Sequence, residues 1–504
     1  MAIFTASEQA AASAIARLAY TNPFLPDRIE CERQALGSDF VDAAPVWSIQ
    51  PDAVEQNPNV GRLARRAADI VQDFRERTRD GARPTDHEAA LYEDVALYLL
   101  YARFEEDLWE LVVRPSAGRT ARVPFYGRFV RAAGELLTTT EDVAHVFACF
   151  FQIRRAFQHT FRGIVGGSLP AARLRAAVWQ SIFTHDMRRY RRTLYRQMDD
   201  INTLVTGPSG TGKELVARAI GLSRYIPFDA TSQTFAADFT TSFHPLSISA
   251  LAPTLVESEL FGHRRGAFTG ALADRAGWLE TCGALGTVFL DEIGELDPAL
   301  QVKLLRVLQA RTFEPLGDTT PRRFTGKLVA ATNRDLAAEM RAGRFREDFY
   351  YRLCADRIVT PSLREQIADR PDELGTLVLF LARRIAGPEE AEPIAREVAT
   401  WIERNLGRDY EWPGNVRELE QCVRSVLVRR EYRPPSPVSP TRRQAVLDEV
   451  AAGTLTADEL LSHYCTLVYA DTRSYQETAR RLRLDRRTVR SKIDADLLAA
   501  LETK

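Results

Sequence analysis

Ile201 to Leu222 read INTLVTGPSGTGKELVARAIGL, and the fold turns on this stretch. An apolar run, Leu204 and Val205, ends in Gly207. The pattern Gly207-x4-Gly212-Lys213 follows, and a helix then begins with Leu215, Val216, Ala219 and Ile220 on one face. Glycines let backbone N–H groups close around phosphates, the helix N-terminus favours an anion, and Lys213 brings a point charge to the β- and γ-phosphates. Gly207, Pro208, Ser209, Gly210, Thr211, Gly212, Lys213 and Glu214 are therefore predicted to hold ATP. Glu214 stands where Ser or Thr is usual, so the customary hydroxyl ligand to Mg2+ is missing. The ion is expected to be held through water and Asp291.

Downstream, GTVFLDEIGEL carries a β-favouring run, Thr287 to Leu290, straight into Asp291-Glu292. A buried strand that ends in two carboxylates delivers them to the mouth of a parallel sheet, where ligands of α/β folds bind. Asp291 is predicted to hold the metal and Glu292 to polarise the attacking water, since phosphoryl transfer needs positioning and charge neutralisation. Without the phosphate loop the same pair reads equally well as solvated acids at a strand end. A third run, KLVAATNRDL, ends in Thr332-Asn333, a polar pair suited to sensing the γ-phosphate from a neighbouring strand.

Around this core the chain of 504 residues is long enough for about three domains. Residues 1–165 are helical and aromatic-rich: Leu91, Val95, Tyr98, Phe104, Leu108, Leu111 and Val112 recur at three- and four-residue intervals. GIVGGSLP (Gly163 to Pro170) breaks that period and is expected to be a linker. The α/β part spans 170–372, a helical lid 373–430, a proline-rich linker 431–443 and a last domain 444–504. Lys plus Arg (67) nearly balances Asp plus Glu (68), so any nucleic-acid patch must be local. Six scattered cysteines without CxxC spacing argue for reduced thiols and against structural zinc. No export signal or long apolar run appears, which places the protein in the cytoplasm and away from membranes.

GPSGTGKE, ESELFGHRRGAFTGA, GTVFLDEIGEL, AATNRDL, FREDFYYRL and WPGNVRELEQ stand in the order found in bacterial enhancer-binding proteins. Residues 175 to 430 resemble that family, the AAA+ activators of sigma-54 RNA polymerase. The resemblance implies an AAA+ P-loop core with a helical lid, an ATPase that works as a hexameric ring, and the sigma-54 holoenzyme as partner. Glu214 is itself usual in the family. By the resemblance Arg346 and Arg352 look like arginine fingers acting on a neighbouring subunit, and Arg417 like a second sensor. Gly266, Ala267, Phe268, Thr269, Gly270 and Ala271 look like the sigma-54 contact, with Phe268 and Thr269 touching it. Read from the residues alone, this glycine-flanked tip is also compatible with a surface turn whose Phe268 folds back onto the core. The chain departs from the family at Ser247, where an Asn is usual, and in a longer segment over 223–248.

Near the end, SYQETARRLRLDRRTVRSKI places Ala479 and Leu482 on one short helix and Val489 and Ile493 on a second, with Asp485 as N-cap. It is similar to the Fis-type helix-turn-helix and implies binding to enhancer-like DNA sites. Arg480 and Arg481 suit phosphates; Arg486, Arg487, Thr488, Arg490 and Ser491 sit where base edges or flanking phosphates are read. Arg483 occupies the usual turn glycine. The arginine-rich HDMRRYRRTLYR (185–196) reads as a solvated helix. The competing readings are a generic AAA+ ATPase, which leaves the GAFTGA tip without a purpose, and a nucleotide-binding repressor, which leaves Glu292 idle.

Overall fold

The computed structural model describes residues 3–42, 57–113, 121–138, 142–238, 242–434 and most of 446–498. They form two compact units, Met1–Arg430 and Glu431–Lys504. The first opens with helices α1 (Ala6–Tyr20), α2 (Asp27–Leu36), α3 (Pro58–Arg79), α4 (Asp86–Val113), α5 (Tyr126–Leu136) and α6 (Val143–Gly163). The periodic face of α4 packs as expected: Leu91, Val95, Phe104, Leu108 and Val112 are buried, and Tyr98 and Leu111 half-buried. Aromatic rings fill this core, with Phe129 edge-on to Phe104 at 5.2 Å and to Phe147 at 5.0 Å.

Helices α7 (Leu169–Phe183) and α8 (Met187–Arg192) follow. GIVGGSLP is not the free linker expected between α6 and α7, and no division between compact units falls there. Gly167 N and Ser168 Oγ donate to the buried Glu373 carboxylate at 2.8 and 3.1 Å, and Arg175 donates to Ile164 O and Gly166 O. The glycines that break the helical period serve a close approach: a Cβ on Gly166 (φ +136°) would lie 2.3 Å from Glu373 Oε1. The arginine-rich α8 is also less free than its composition suggests. Met187 and Tyr190 are buried, and Arg188 pairs with Asp94 of the N-terminal helices.

Next come β1 (Thr203–Thr206), α9 (Lys213–Gly221), β2 (Phe228–Asp229), β3 (Thr234–Phe235), β4 (Phe243–Ser247), α10 (Pro253–Phe261) and α11 (Trp278–Thr281). They are followed by β5 (Thr287–Asp291), α12 (Pro298–Ala310), β6 (Thr312–Phe313), β7 (Arg322–Arg323), β8 (Lys327–Thr332), α13 (Leu336–Arg341), α14 (Glu347–Leu353) and β9 (Asp356–Val359). Five strands form one parallel sheet in the order β4-β5-β8-β1-β9. All of β8 and the first four residues of β5 are buried, as continuous apolar strands covered on both faces must be. On α9, Val216, Ala219 and Ile220 face the core, but Leu215 does not; it is 44% exposed, because the short helix turns that position away from the sheet. Helix α15 (Leu363–Asp369) follows, and α16 (Glu373–Ala386), α17 (Pro388–Asn405) and α18 (Asn415–Arg429) fill the stretch expected to be the lid. The result is an α/β domain, a five-stranded parallel sheet between helices with further helices after it.

In the second unit α19 (Ala457–Thr472), α20 (Tyr475–Leu482) and α21 (Arg486–Lys492) pack together, with Val489 fully buried. The proline-rich linker is described only over 431–434; its remainder lies outside the described residues. Asp485 caps α21 by accepting from Arg487 N at 2.8 Å, and Ile493 falls just past the helix end rather than on it. Arg483 closes α20 in the left-handed region, φ +54°, a conformation that costs a residue with a Cβ about 1 kcal/mol. Arg483→Gly is expected to stabilise this unit by about 0.5 to 1 kcal/mol, measured by urea unfolding of residues 431–504; an unchanged or lower midpoint would contradict the account. Among the described residues no helix is long and apolar enough to cross a membrane.

Candidate active site

The loop predicted to hold phosphate runs from the end of β1 into α9, with Thr360 after β9 on one side and Gly414 before α18 on the other. Two glycines have no room for a side chain: a Cβ on Gly207 would meet Thr360 Oγ1 at 2.1 Å, and one on Gly210 would meet Gly414 O at 2.2 Å. Thr211 Oγ1 donates to Pro208 O at 2.8 Å, which fixes the turn. Lys213 is buried, and its Nζ donates to Gly207 O and Pro208 O at 3.1 and 3.2 Å. Burial holds its ammonium below the ordinary lysine range, opposed by the carboxylates of Glu292 and Asp291. Such a cation gains from an arriving polyphosphate. Glu214 is exposed and pairs with Arg218 one turn on.

Asp291 ends β5, and burial raises its carboxyl pKa while Lys213 opposes the shift. Glu292 sits in the left-handed region at φ +55° and ψ +48°, a strained placement for a glutamate at the strand end. Its Oε2 accepts from Asn333 N at 3.3 Å, so the turn after β5 is tied to the turn after the adjacent β8. Ser247 is level with Asp291 across the sheet, and its hydroxyl bonds Ser249 Oγ at 3.4 Å. The short serine thus stays on its own segment.

The lid closes the other side. Arg417, on the first turn of α18, donates to Ser209 Oγ at 2.9 Å. Asn415 was not singled out by sequence reasoning, yet it joins three segments. Its Nδ2 donates to Ser209 O at 2.9 Å, and its Oδ1 accepts from Leu363 N at 2.8 Å. The Trp-Pro-Gly turn before it is the signal that could have marked it.

Arg346 and Arg352 bracket α14 and differ in state. Arg346 forms a two-point pair with Asp348 at 3.0 and 2.8 Å, whereas the Arg352 side chain is exposed. Arg346 is thus held in a local ion pair within its own subunit.

The 264–275 loop follows α10. Thr269 and Gly270 are exposed, but Phe268 is half-buried, edge-on to His263 at 4.9 Å. In this conformation Phe268 thus follows the surface-turn alternative, because the imidazole takes part of the ring out of water. Gly266 N donates to Ala271 O at 2.8 Å, and Arg264 pairs with Asp274 and with Asp318 of the segment joining β6 to β7, at 2.7 and 2.9 Å. Leu272 escaped the sequence reading and is 86% exposed.

In the second unit Arg486, Arg487, Arg490 and Ser491 are exposed on α21, while Thr488 is half-buried and its carbonyl accepts from Ser491 Oγ. Arg480 and Arg481 are less available than expected, since both pair with Glu477, at 2.7 and 3.1 Å.

Residues 182–359 match the family described as the sigma-54 interaction domain. The chain is 37% identical over 336 residues to the Nif-specific regulatory protein of Azotobacter vinelandii, covering 64% of this chain and 56% of that one. It is 44% identical over 232 residues to the hydrogenase transcriptional regulatory protein HoxA of Bradyrhizobium diazoefficiens, covering 45% and 43%. The chain thus spans about half the length of these curated relatives. It is also similar to NtrX from Brucella abortus in complex with ATP, 20% identical with a TM-score of 0.41 and coverage of 81% and 87%.

Proposed function

We propose that this chain, whose residues 182–359 match the sigma-54 interaction domain, is an ATP-driven transcription activator of the sigma-54 RNA polymerase holoenzyme. It works in the cytoplasm, held at enhancer-like DNA by its last domain, and its subunits join into a hexameric ring. The supporting observation is that one domain joins a phosphate loop and the Asp291-Glu292 strand end to a separate loop whose Thr269 faces solvent. Functionally the chain divides into a regulatory region 1–165, a core 170–372, a lid 373–430, a linker 431–443 and a DNA-binding domain 444–504.

Residues 207–213 cradle the phosphates, and Lys213 neutralises charge on the β- and γ-oxygens. Mg2+ fits at Asp291 through water: the half-buried carboxylate gains from a nearby cation, and Glu214 offers no hydroxyl. The ion supplies charge neutralisation at the phosphate oxygens. Glu292 orients the attacking water, Asn333 senses the γ-phosphate, and Arg417 lets the lid follow the nucleotide. Arg346 and Arg352 reach the site of the next subunit, Arg346 after leaving Asp348. The Gly266-Ala271 tip then moves against sigma-54. ATP turnover per subunit should rise with protein concentration as rings assemble; a chain that binds ATP but turns over none at any concentration would sink this reading.

DNA recognition is assigned to Arg486, Arg487, Thr488, Arg490 and Ser491. Removing residues 442–504 is expected to abolish site-specific footprints while ATPase activity persists, since the units are separately compact. Binding by the intact chain should weaken steeply with salt as phosphate contacts release counterions. Undiminished footprints from the truncated chain would place the DNA site elsewhere.

A further inference from the structure

The segment after α9 that is longer than its family expects carries the hairpin β2–β3, and the hairpin is built into the N-terminal helices. Phe228 and Phe235 pair across it and are both buried in the aromatic core of that region. Phe228 lies 4.6 Å from Tyr126 and 4.7 Å from Phe147, and Phe235 stacks on Phe151 at 4.2 Å. The tip is polar, folded by Asp229 accepting from Thr231 N and Ser232 Oγ, and Gln233 O accepts from Val123 N at 2.9 Å. Beside the hairpin, α6 reaches the carboxyl end of α9. Gln152 Nε2 donates to Ser223 O at 2.9 Å, its Oε1 accepts from Tyr190, and the 1%-exposed Arg155 donates to Arg224 O. Ala156 of α6 shares a core with Val216, Ala219 and Ile220 of α9. The nine residues of α9 then run about 13 Å to Lys213 and the phosphate loop.

We infer that the 223–238 segment is the seat through which the N-terminal region governs ATP turnover, as a permanent part of the motor and not as an inhibitor that is released. Undocking would expose two phenylalanines and strip buried carbonyls of their donors, so the docked arrangement is the working one. A signal received by the N-terminal helices reaches the phosphate loop as a small displacement of α6 against α9. The effect on turnover rests on the ATPase reading; the mechanical coupling does not.

The test uses the full chain with Phe228→Ala and Phe235→Ala together, and separately Gln152→Met, which keeps most of the buried volume should the double variant fold poorly. Hydrogen exchange is followed in the hairpin, α6, α9 and strands β5 and β8. Faster exchange is expected in the hairpin, α6 and onward through α9, with β5 and β8 as protected as in the parent. ATP turnover should fall about 10- to 100-fold, the cost of slightly misplacing a catalytic loop. Exchange that quickens in the hairpin and α6 but stops short of α9 would overturn the coupling. Equal or higher turnover from a loosened variant would overturn it too, since it would make the region a releasable inhibitor. A parent chain without turnover would sink the ATPase reading, while the exchange pattern would still decide this inference.

Discussion

Arg352→Ala is expected to leave ATP binding near the parent's and to lower turnover by about 10³ to 10⁵-fold, the contribution of an arginine acting on transferring phosphate from outside. The expectation rests on what the side chain does within its own subunit. Arg346 is occupied by Asp348, but Arg352 projects from α14 into solvent, so its removal costs the subunit little stability. A charge so placed is available to a neighbouring subunit of the proposed ring. Mixing Arg352→Ala with Lys213→Ala subunits should restore part of the turnover, because some interfaces then pair an intact phosphate loop with an intact finger. If rings form and no mixture recovers activity, Arg352 does not act on its neighbour.

Thr269→Ala is expected to separate the motor from its load. Thr269 is exposed, so losing its hydroxyl and methyl should change folding by less than about 0.5 kcal/mol. The loop's own ties, Gly266 N to Ala271 O and Arg264 to Asp274 and Asp318, involve other residues. ATP turnover should therefore persist while open-complex formation at a sigma-54 promoter is lost. Lys213→Ala should lose both together. Phe268 adds a mechanical expectation: its ring is expected to leave His263 when the tip engages its partner.

The parts of this site legible in the sequence are those fixed by local backbone chemistry. A strand, a glycine loop and a helix in succession leave little choice for residues 203–221, and beside that loop an apolar run ending in Asp291-Glu292 reads as a buried strand with acids at its mouth. Two of the misreadings share one cause, long-range contact. Gly166-Gly167 looks like a linker until Glu373, some two hundred residues on, is seen to need that close approach. The hairpin over 228–235 looks like an insertion without purpose because its partners, Tyr126, Phe147 and Phe151, precede it by about a hundred residues. Arg480 and Arg481 look free for DNA because composition does not say that Glu477, one turn back, serves both. Asn415 was hidden for a related reason: its role is to join the lid to the loop, and neither segment alone shows it.

The assignment of a sigma-54 activator is tested most directly by promoter opening. The parent chain is incubated with sigma-54 holoenzyme, a sigma-54 promoter carrying its upstream site, and ATP, and melted DNA is probed by permanganate. The account predicts melting that requires hydrolysable ATP, follows ring assembly and disappears in Thr269→Ala while ATP turnover continues. ATP turnover that rises with concentration beside a promoter that stays closed would contradict it and return the chain to the wider class of AAA+ ATPases with another substrate.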